Sequence, residues 1–206
     1  QLTYNVKDNR IIYVQGKVIL SGKLRGRVTV AASDDIIIGD DLTYVTDPGQ
    51  GTCVDIMGFF SGENIFIANN TINAPQQPNG ASWYTLEDTK DEFIHGVVLA
   101  LDQFTVEGYY TGSDANESCE TQVWGRGCLY LTGGVIQRQR GPVGTITSNS
   151  PLRGTGYVKR YSYDPCAAQE PPPYFPTTGH FIKGQHYNMD PVGFSVANFY
   201  GNWQNP

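Results

Sequence analysis

The sequence predicts an all-β protein: a single-stranded parallel β-helix with long loops and an extended C-terminal tail. The composition and a recurring spacing of apolar residues predict this fold class. The 206 residues include 24 Gly, 12 Pro and 13 Tyr, but only 17% are charged. Such a composition is typical of short strands joined by many turns. The low charge also excludes a disordered, highly charged chain.

An apolar residue followed six positions later by a second one recurs along the chain. The copies begin at Val30, Phe59, Val98 and Leu129. The fourth position after each start holds a polar or turn-forming residue: Asp34, Glu63, Asp102 and Gly133. Because the same corner recurs, the spacing favours strands stacked turn upon turn over an antiparallel sandwich. We therefore expect the four starting residues to form one buried row.

The remaining elements follow in chain order. Residues 11–44 hold the first one or two turns of the predicted β-helix, and loops rich in Gly, Pro, Asn and Asp are expected at 46–52, 69–92 and 108–127. The chain then divides into a β-helix domain, residues 1–165, and a Pro- and aromatic-rich segment, residues 166–206. The three prolines at 171–173 favour an extended conformation. We expect the second segment to pack on the β-helix or on a neighbouring subunit.

The four cysteines predict disulfide bonds. Cys53, Cys119, Cys128 and Cys166 lack the CxxC spacing of structural zinc sites. Their even number and wide spacing suit two disulfides in an oxidising compartment, with four buried free thiols as the alternative. Four cysteines allow three pairings. We favour the local pair of Cys119 with Cys128, which leaves Cys53 to tie an early strand to Cys166.

Charge and hydropathy exclude two classes of partner. A net charge of -6 does not suit a protein that binds phosphate backbones, so no nucleic acid is expected. No stretch approaches the ~20 apolar residues of a membrane span, so none is expected in this chain. The chain begins at Gln1 rather than Met, which we interpret as a processed or excised piece.

We expect no catalytic residue, no cofactor and no metal site. The acidic pairs at 34–35 and 40–41 match no calcium-binding repeat and are interpreted as turn residues. A second acidic group is interpreted as a solvated face; it consists of Glu87, Asp88, Asp91 and Glu92. Arg138 and Arg140 lie on one strand face, as a polysaccharide-cleaving site would require, but no spacing pairs them with a carboxylate. His95, beside an apolar strand, is interpreted as a half-buried structural residue.

Aromatic residues in the predicted loops and tail are the better functional indication. Such side chains stack on sugars or contact partner chains, and the alternative is that they cover the flank of the β-helix. The predicted interaction surface consists of Trp83, Tyr84, Tyr109, Tyr110, Trp124, Tyr174, Phe175, Phe181, Phe199, Tyr200 and Trp203.

Several runs resemble an uncharacterised bacterial β-helical domain found in type IV pilus-assembly, minor-pilin-like proteins. The runs are YVQGKVILSGKLRGRVTVAASDDIIIGDDLTY at 13–44, RQRGPVG at 138–144, GYVKRYSYDP at 156–165 and PPPYFP at 171–176. The resemblance spans about residues 10–180. It implies an extracytoplasmic, surface-associated structural role and supplies no catalytic residue.

These observations predict a non-enzymatic structural or interaction protein that is extracellular or at the bacterial cell surface. In this hypothesis a β-helix scaffold assembles with copies of itself, as a homo-oligomer, or with a pilus-like surface filament. The alternative is a carbohydrate-binding or carbohydrate-cleaving β-helix protein, whose partners are surface glycans.

Overall fold

A computed structural model describes residues 10–50, 53–68, 91–110, 118–120, 122–123, 126–147 and 153–176. All of these except Pro176 belong to one compact unit, residues 1–175. The strands are β1 (Ile11–Val14), β2 (Val18–Leu24), β3 (Arg27–Ala32), β4 (Ile36–Tyr44), β5 (Ile56–Ser61), β6 (Ile65–Ile67), β7 (Glu92–Ala100), β8 (Phe104–Val106), β9 (Ser118–Cys119), β10 (Gln122–Val123), β11 (Cys128–Gln137), β12 (Gly144–Thr147), β13 (Arg153–Gly156) and β14 (Val158–Tyr163). A short helix, α1 (Pro165–Gln169), and a 3₁₀ turn (Pro48–Gln50) complete the described elements. Neither helical segment has the length and apolar character that a membrane crossing requires.

The predicted single-stranded parallel β-helix is wrong. In that architecture the successive strands of one turn lie in separate sheets. Here ten strands form one hydrogen-bonded sheet of order β1-β3-β5-β7-β4-β6-β8, with β2 beside β4, β11 beside β7 and β14 beside β11. The strands join into one sheet because β4 is long enough to pair with two different strands. Its first residues pair with β6, whereas Leu42, further along the strand, pairs with Ile94 of β7.

The strands of this sheet pair in parallel. Side chains that are adjacent across neighbouring strands form rows. Val30, Phe59 and Val98 share one buried row, as the sequence predicts. The prediction is wrong for Leu129, which lies beside Glu92, while Val135 takes the place beside Val98. A second row joins Ile36, Ile65 and Phe104. Burial of these rows supplies the apolar core, because registered residues of parallel strands share a face.

Strand β7 alternates strictly between buried and half-buried residues over its whole length. Its core-facing side includes Gly96, which lies beside Gly133 of β11. Both glycines have φ near the upper end of the left-handed region, at 151° and 155°. A Cβ on Gly133 would lie 1.8 Å from the carbonyl oxygen of Gly96. The two strands therefore approach each other here more closely than any side chain permits.

Both predicted disulfides are present: Cys53 bonds to Cys166, and Cys119 bonds to Cys128. The first bond fastens α1 and the residues after it to the chain segment that precedes β5. Asp164 caps α1 by accepting a hydrogen bond from the N–H of Cys166 at 2.8 Å. The disulfide between Cys53 and Cys166 thus joins parts of the chain that are 113 residues apart in sequence.

The residues after α1 cover the outward face of β3 and β5. The hydroxyl of Thr29 donates a hydrogen bond to the carbonyl oxygen of Pro173, and Thr29 is buried although it faces away from the core. The side chains of Pro172 and Phe175 lie so close to Gly58 that a Cβ there would approach each to 2.7 Å. Residues 177–206 lie outside the described residues, so the packing of the rest of the predicted C-terminal segment stays a prediction.

Candidate functional site

The outer strands of the sheet are the first candidate for a functional surface. In the run β1-β3-β5-β7-β11-β14, strand β1 pairs only with β3, and β14 pairs only with β11, among the described residues. Each therefore has an open edge, with backbone N–H and C=O groups available for pairing. Strand β2 likewise pairs only with β4 among the described residues, so the outer edges of β1 and β14 are the two that end the longest parallel run.

Strand β1 has the sequence IIYV, with no charged residue and no proline. Its side chains are unusually exposed for their type, and Tyr13 reaches 66% exposure. The carbonyl groups of Arg10 and Val14 accept hydrogen bonds from the N–H groups of Thr29 in β3 and of Ser33, which follows β3. Because backbone groups alternate in direction along a strand, those of Ile11 and Tyr13 point to the open edge.

Strand β14 is more polar, with the sequence VKRYSY. Arg160 donates to both carboxylate oxygens of Glu120, at 3.0 and 3.1 Å, and this ion pair lowers the pKa of Glu120. Tyr161 lies beside Leu131 in a core-facing position but remains 44% exposed, because the row ends there within the described sheet. Partial burial still raises the pKa of Tyr161 to about 12.

A polar groove of about 570 Å³ lies at the corner between the first strands of the chain. It is lined by Gln15, Gly16, Ser33, Asp34, Asp35, Glu63 and Asn64. The ammonium group of Lys17 lies 2.5 Å from Asp35 Oδ2 and 3.8 Å from Asp34 Oδ1. Burial raises the pKa of Asp35, but hydrogen bonds from Lys17 and Asn64 outweigh it and the net effect lowers that pKa. The groove is thus a partly neutralised acidic corner.

The interpretation of Asp40 and Asp41 as turn residues is wrong, because both lie inside β4, where they form a second acidic cluster with Glu92. One carboxylate oxygen from each of Asp40, Asp41 and Glu92 lies within 4.8 Å of the others. Asp41 Oδ1 accepts the N–H of Phe93 at 2.7 Å. Carboxylates of this kind are ligands for Ca²⁺ or Mg²⁺, although Ca²⁺ takes six to eight oxygens and would need further ligands. We assign no ion to this cluster, because acidic groups also gather without one.

The interpretation of Glu92 as part of a solvated face is wrong, since the residue is only 2% exposed. The signal that identifies it is the alternation of β7. Glu92, Ile94 and Val98 stand an even number of positions apart, which places all three on the core-facing side of the strand.

Two other residues considered for chemistry, Arg138 and His95, have structural partners. Arg138 donates to Asp102 Oδ1 at 2.8 Å in an exposed ion pair. His95 is half-buried, and its Nδ1 accepts the backbone N–H of Tyr44 at 3.1 Å. Burial lowers the pKa of His95, and the nearby carboxylates of Asp47 and Asp164 oppose this only in part. The neutral imidazole is the form that this hydrogen bond requires.

The aromatic residues predicted to form an interaction surface fall into three groups. Tyr110 and Tyr174 are exposed. Tyr109 packs against the core and contacts Tyr110 edge to face, and Phe175 is buried against β5. Trp83, Tyr84, Trp124, Phe181, Phe199, Tyr200 and Trp203 lie outside the described residues. Sugar binding by these aromatics therefore stays a prediction.

No family model, curated protein or solved structure matches the chain. The resemblance to the pilus-assembly domain accordingly stays a prediction.

Proposed function

We propose that this chain is a non-enzymatic structural or interaction protein that joins other chains by strand addition at the open edge of β1. The observation that carries the proposal is the sequence IIYV in the outermost strand of the parallel run. Soluble proteins usually protect an exposed edge with charged residues, proline or a bulge, and β1 has no charged residue or proline. An unprotected edge of strong β-forming residues suits pairing with a further strand.

The partner in this proposal is another copy of the chain or a surface filament, outside the cytoplasm. The two disulfides support an oxidising compartment, because such bonds persist there and are rare in the cytosol. The resemblance of several runs to a domain of pilus-assembly proteins points in the same direction.

The open edge of β1 sets the expected strength of the contact. Ile11 and Tyr13 direct two N–H and two C=O groups outward, and each hydrogen bond contributes about 0.5–1.5 kcal/mol net. The backbone contribution is then about 2–6 kcal/mol, which is small beside the cost of bringing two chains together. We therefore expect an association that depends on protein concentration and on the apolar side chains near the edge.

Tyr13→Pro tests the proposal against Tyr13→Ala as its matched control. Both variants remove the same side chain, but only proline removes the N–H that points to the open edge. Sedimentation velocity and electron microscopy over a concentration series measure assembly, and circular dichroism checks that the sheet is intact. We expect Tyr13→Ala to assemble and Tyr13→Pro to stay monomeric. Equal assembly of the two variants, or a wild-type chain that never associates, would contradict the proposal.

A further inference from the structure

We infer that the strand which adds to β1 is β14 of a second copy of this chain, placed so that Tyr161 lies beside Ile12 of the next copy. This inference rests on the proposed function and specifies its partner and register. It follows from three observations: the direction of the strands, the residues whose backbone groups point to each open edge, and the side chains at the ends of the core rows.

The direction of the strands is the first argument. The five pairings that connect β1, β3, β5, β7, β11 and β14 are all parallel. A second copy in the same orientation therefore offers its β14 to β1 as one more parallel strand. Such a contact joins two different surfaces, so each added copy leaves a new open edge, and the contact repeats head to tail.

The hydrogen bonds inside the sheet show which backbone groups face which neighbour. Along β3 and the residues that flank it, the N–H groups of Thr29 and Ser33 donate to the carbonyl groups of Arg10 and Val14, on the β1 side. The carbonyl groups of Gly26 and Ala32 accept from Ile56 and Gly62, on the β5 side. The side chain of Thr29 faces outward, and that of Ala32 lies in the core cluster. Outward-facing residues thus bond to the preceding strand, and core-facing residues bond to the following strand.

The backbone groups at the open edges of β1 and β14 alternate in a pattern that allows them to pair. On β1, the outward-facing residues Ile11 and Tyr13 direct their backbone groups to the open edge. On β14, Val158 donates its N–H to Gly127 at 2.9 Å, so the alternate residues point the other way. Tyr161 is one of these alternate residues and is core-facing, because it lies beside the buried Leu131. A junction from β14 to β1 therefore repeats the relation between β3 and β5.

The core rows then select one register. Ile94, Leu131 and Tyr161 form a row that ends at β14, with Tyr161 44% exposed. A second row begins at Ile12, which is 37% exposed, and continues through the buried Val30. Placing Tyr161 beside Ile12 joins the two rows and covers both half-exposed side chains. All four residues of β1 then have partners in β14.

Other registers are worse for identifiable reasons. A shift by one residue turns every side chain to the opposite face. A shift by two residues in one direction places the ammonium of Lys159 beside Ile12, where burial of an unpaired charge is unfavourable. The same shift in the other direction places Pro165, which has no N–H and begins α1, beside Val14.

Cysteine cross-linking tests the register in the full chain. Neighbouring parallel strands lie about 4.8 Å apart, within the Cα separation that a disulfide spans. The test variant carries Ile12→Cys and Tyr161→Cys, and the control carries Ile12→Cys and Lys159→Cys, whose Cα atoms would be about 8 Å apart in the inferred register. Mild oxidation is followed by non-reducing electrophoresis and by mass spectrometry of the linked peptides. We expect a ladder of covalent oligomers from the test variant and a loss of that ladder in the control.

A mixing experiment with charged substitutions tests the same register without added cysteines, in case those disturb folding. Ile12→Lys and Tyr161→Glu each place a charge at the end of a core row, and each variant alone should lose assembly. An equimolar mixture should regain it, because the lysine of one copy meets the glutamate of the other. Wild-type assembly without the 12–161 cross-link, or without rescue in the mixture, would overturn this inference but leave the proposed function. Failure of the wild-type chain to associate would overturn both.

Discussion

Removal of the disulfide between Cys53 and Cys166 should destabilise the chain more than removal of the one between Cys119 and Cys128. The double variants Cys53→Ala/Cys166→Ala and Cys119→Ala/Cys128→Ala form a matched pair, since each loses one disulfide and its two sulfur atoms. The difference between them is the length of chain that the bond closes. The two sequence separations are 113 and 9 residues.

The chain-entropy relation gives the expected magnitudes. A cross-link lowers the entropy of the unfolded chain by a constant plus a term that grows with the logarithm of the number of residues in the closed loop. For separations of 113 and 9 residues the loss corresponds to about 4.8 and about 2.6 kcal/mol at 25 °C. Removal of the first bond should therefore cost about 2 kcal/mol more in free energy of unfolding. It also releases the residues that cover Thr29 and Gly58 on the outward face.

Urea unfolding monitored by circular dichroism measures both free energies, provided that each variant unfolds in a single transition. Hydrogen exchange adds a local test, because loss of the long-range bond should increase exchange in β3 and β5 under the released segment. Equal losses for the two variants, or a larger loss for the short loop, would refute the reasoning from loop closure. Unchanged exchange at β3 and β5 would refute the role of the bond in holding the covering segment.

Two further predictions concern the sheet. Gly133→Ala places a Cβ 1.8 Å from the neighbouring strand at a φ of 155°, so we expect a loss of at least about 3 kcal/mol in thermal or urea unfolding. Gly134→Ala, with open space around its Cβ, should change stability by less than about 1 kcal/mol, and similar losses for the two would refute the close approach of the strands. Because burial lowers the pKa of His95 below its ordinary value of 6.5, the unfolded chain binds more protons than the folded chain as the pH falls. The contribution of His95 is therefore present above pH 6.5 and is lost on acidification through the lowered pKa. Urea midpoints at several pH values should fall less steeply on acidification for His95→Gln, and an identical pH profile would contradict this assignment.

Much of the local structure could be predicted because it depends on residues near each other in sequence. The six-residue spacing correctly located pairs of strands around the polar corners at Asp34, Glu63 and Asp102. It was wrong at Gly133, which lies inside the continuous strand β11. It placed Val30, Phe59 and Val98 in one row because their copies have the same length. Leu129 was misplaced because β11 is ten residues long, so the spacing alone could not choose between Leu129 and Val135 as the residue beside Val98.

The architecture depended on a pairing that no local pattern contains. Leu42 and Ile94 are neighbours because β4 continues beyond its pairing with β6 and reaches β7. Such contacts depend on how distant strands meet, and the alternation of side chains is the same whichever neighbour a strand selects. The candidate site was equally hidden, since IIYV is an ordinary strand sequence until the sheet order leaves one of its edges open.

The sequence by itself determined the β-strand content, the polar corners, the number of cysteines and the face on which each strand carries its apolar residues. These properties follow from backbone geometry and side-chain chemistry over a few residues. Only the tertiary structure decided which strands pair, where Glu92 becomes buried and which strand edges stay open within the described sheet. Hydrogen bonds between strands join residues far apart in sequence, and each strand can pair with many partners until the packing of the core selects one.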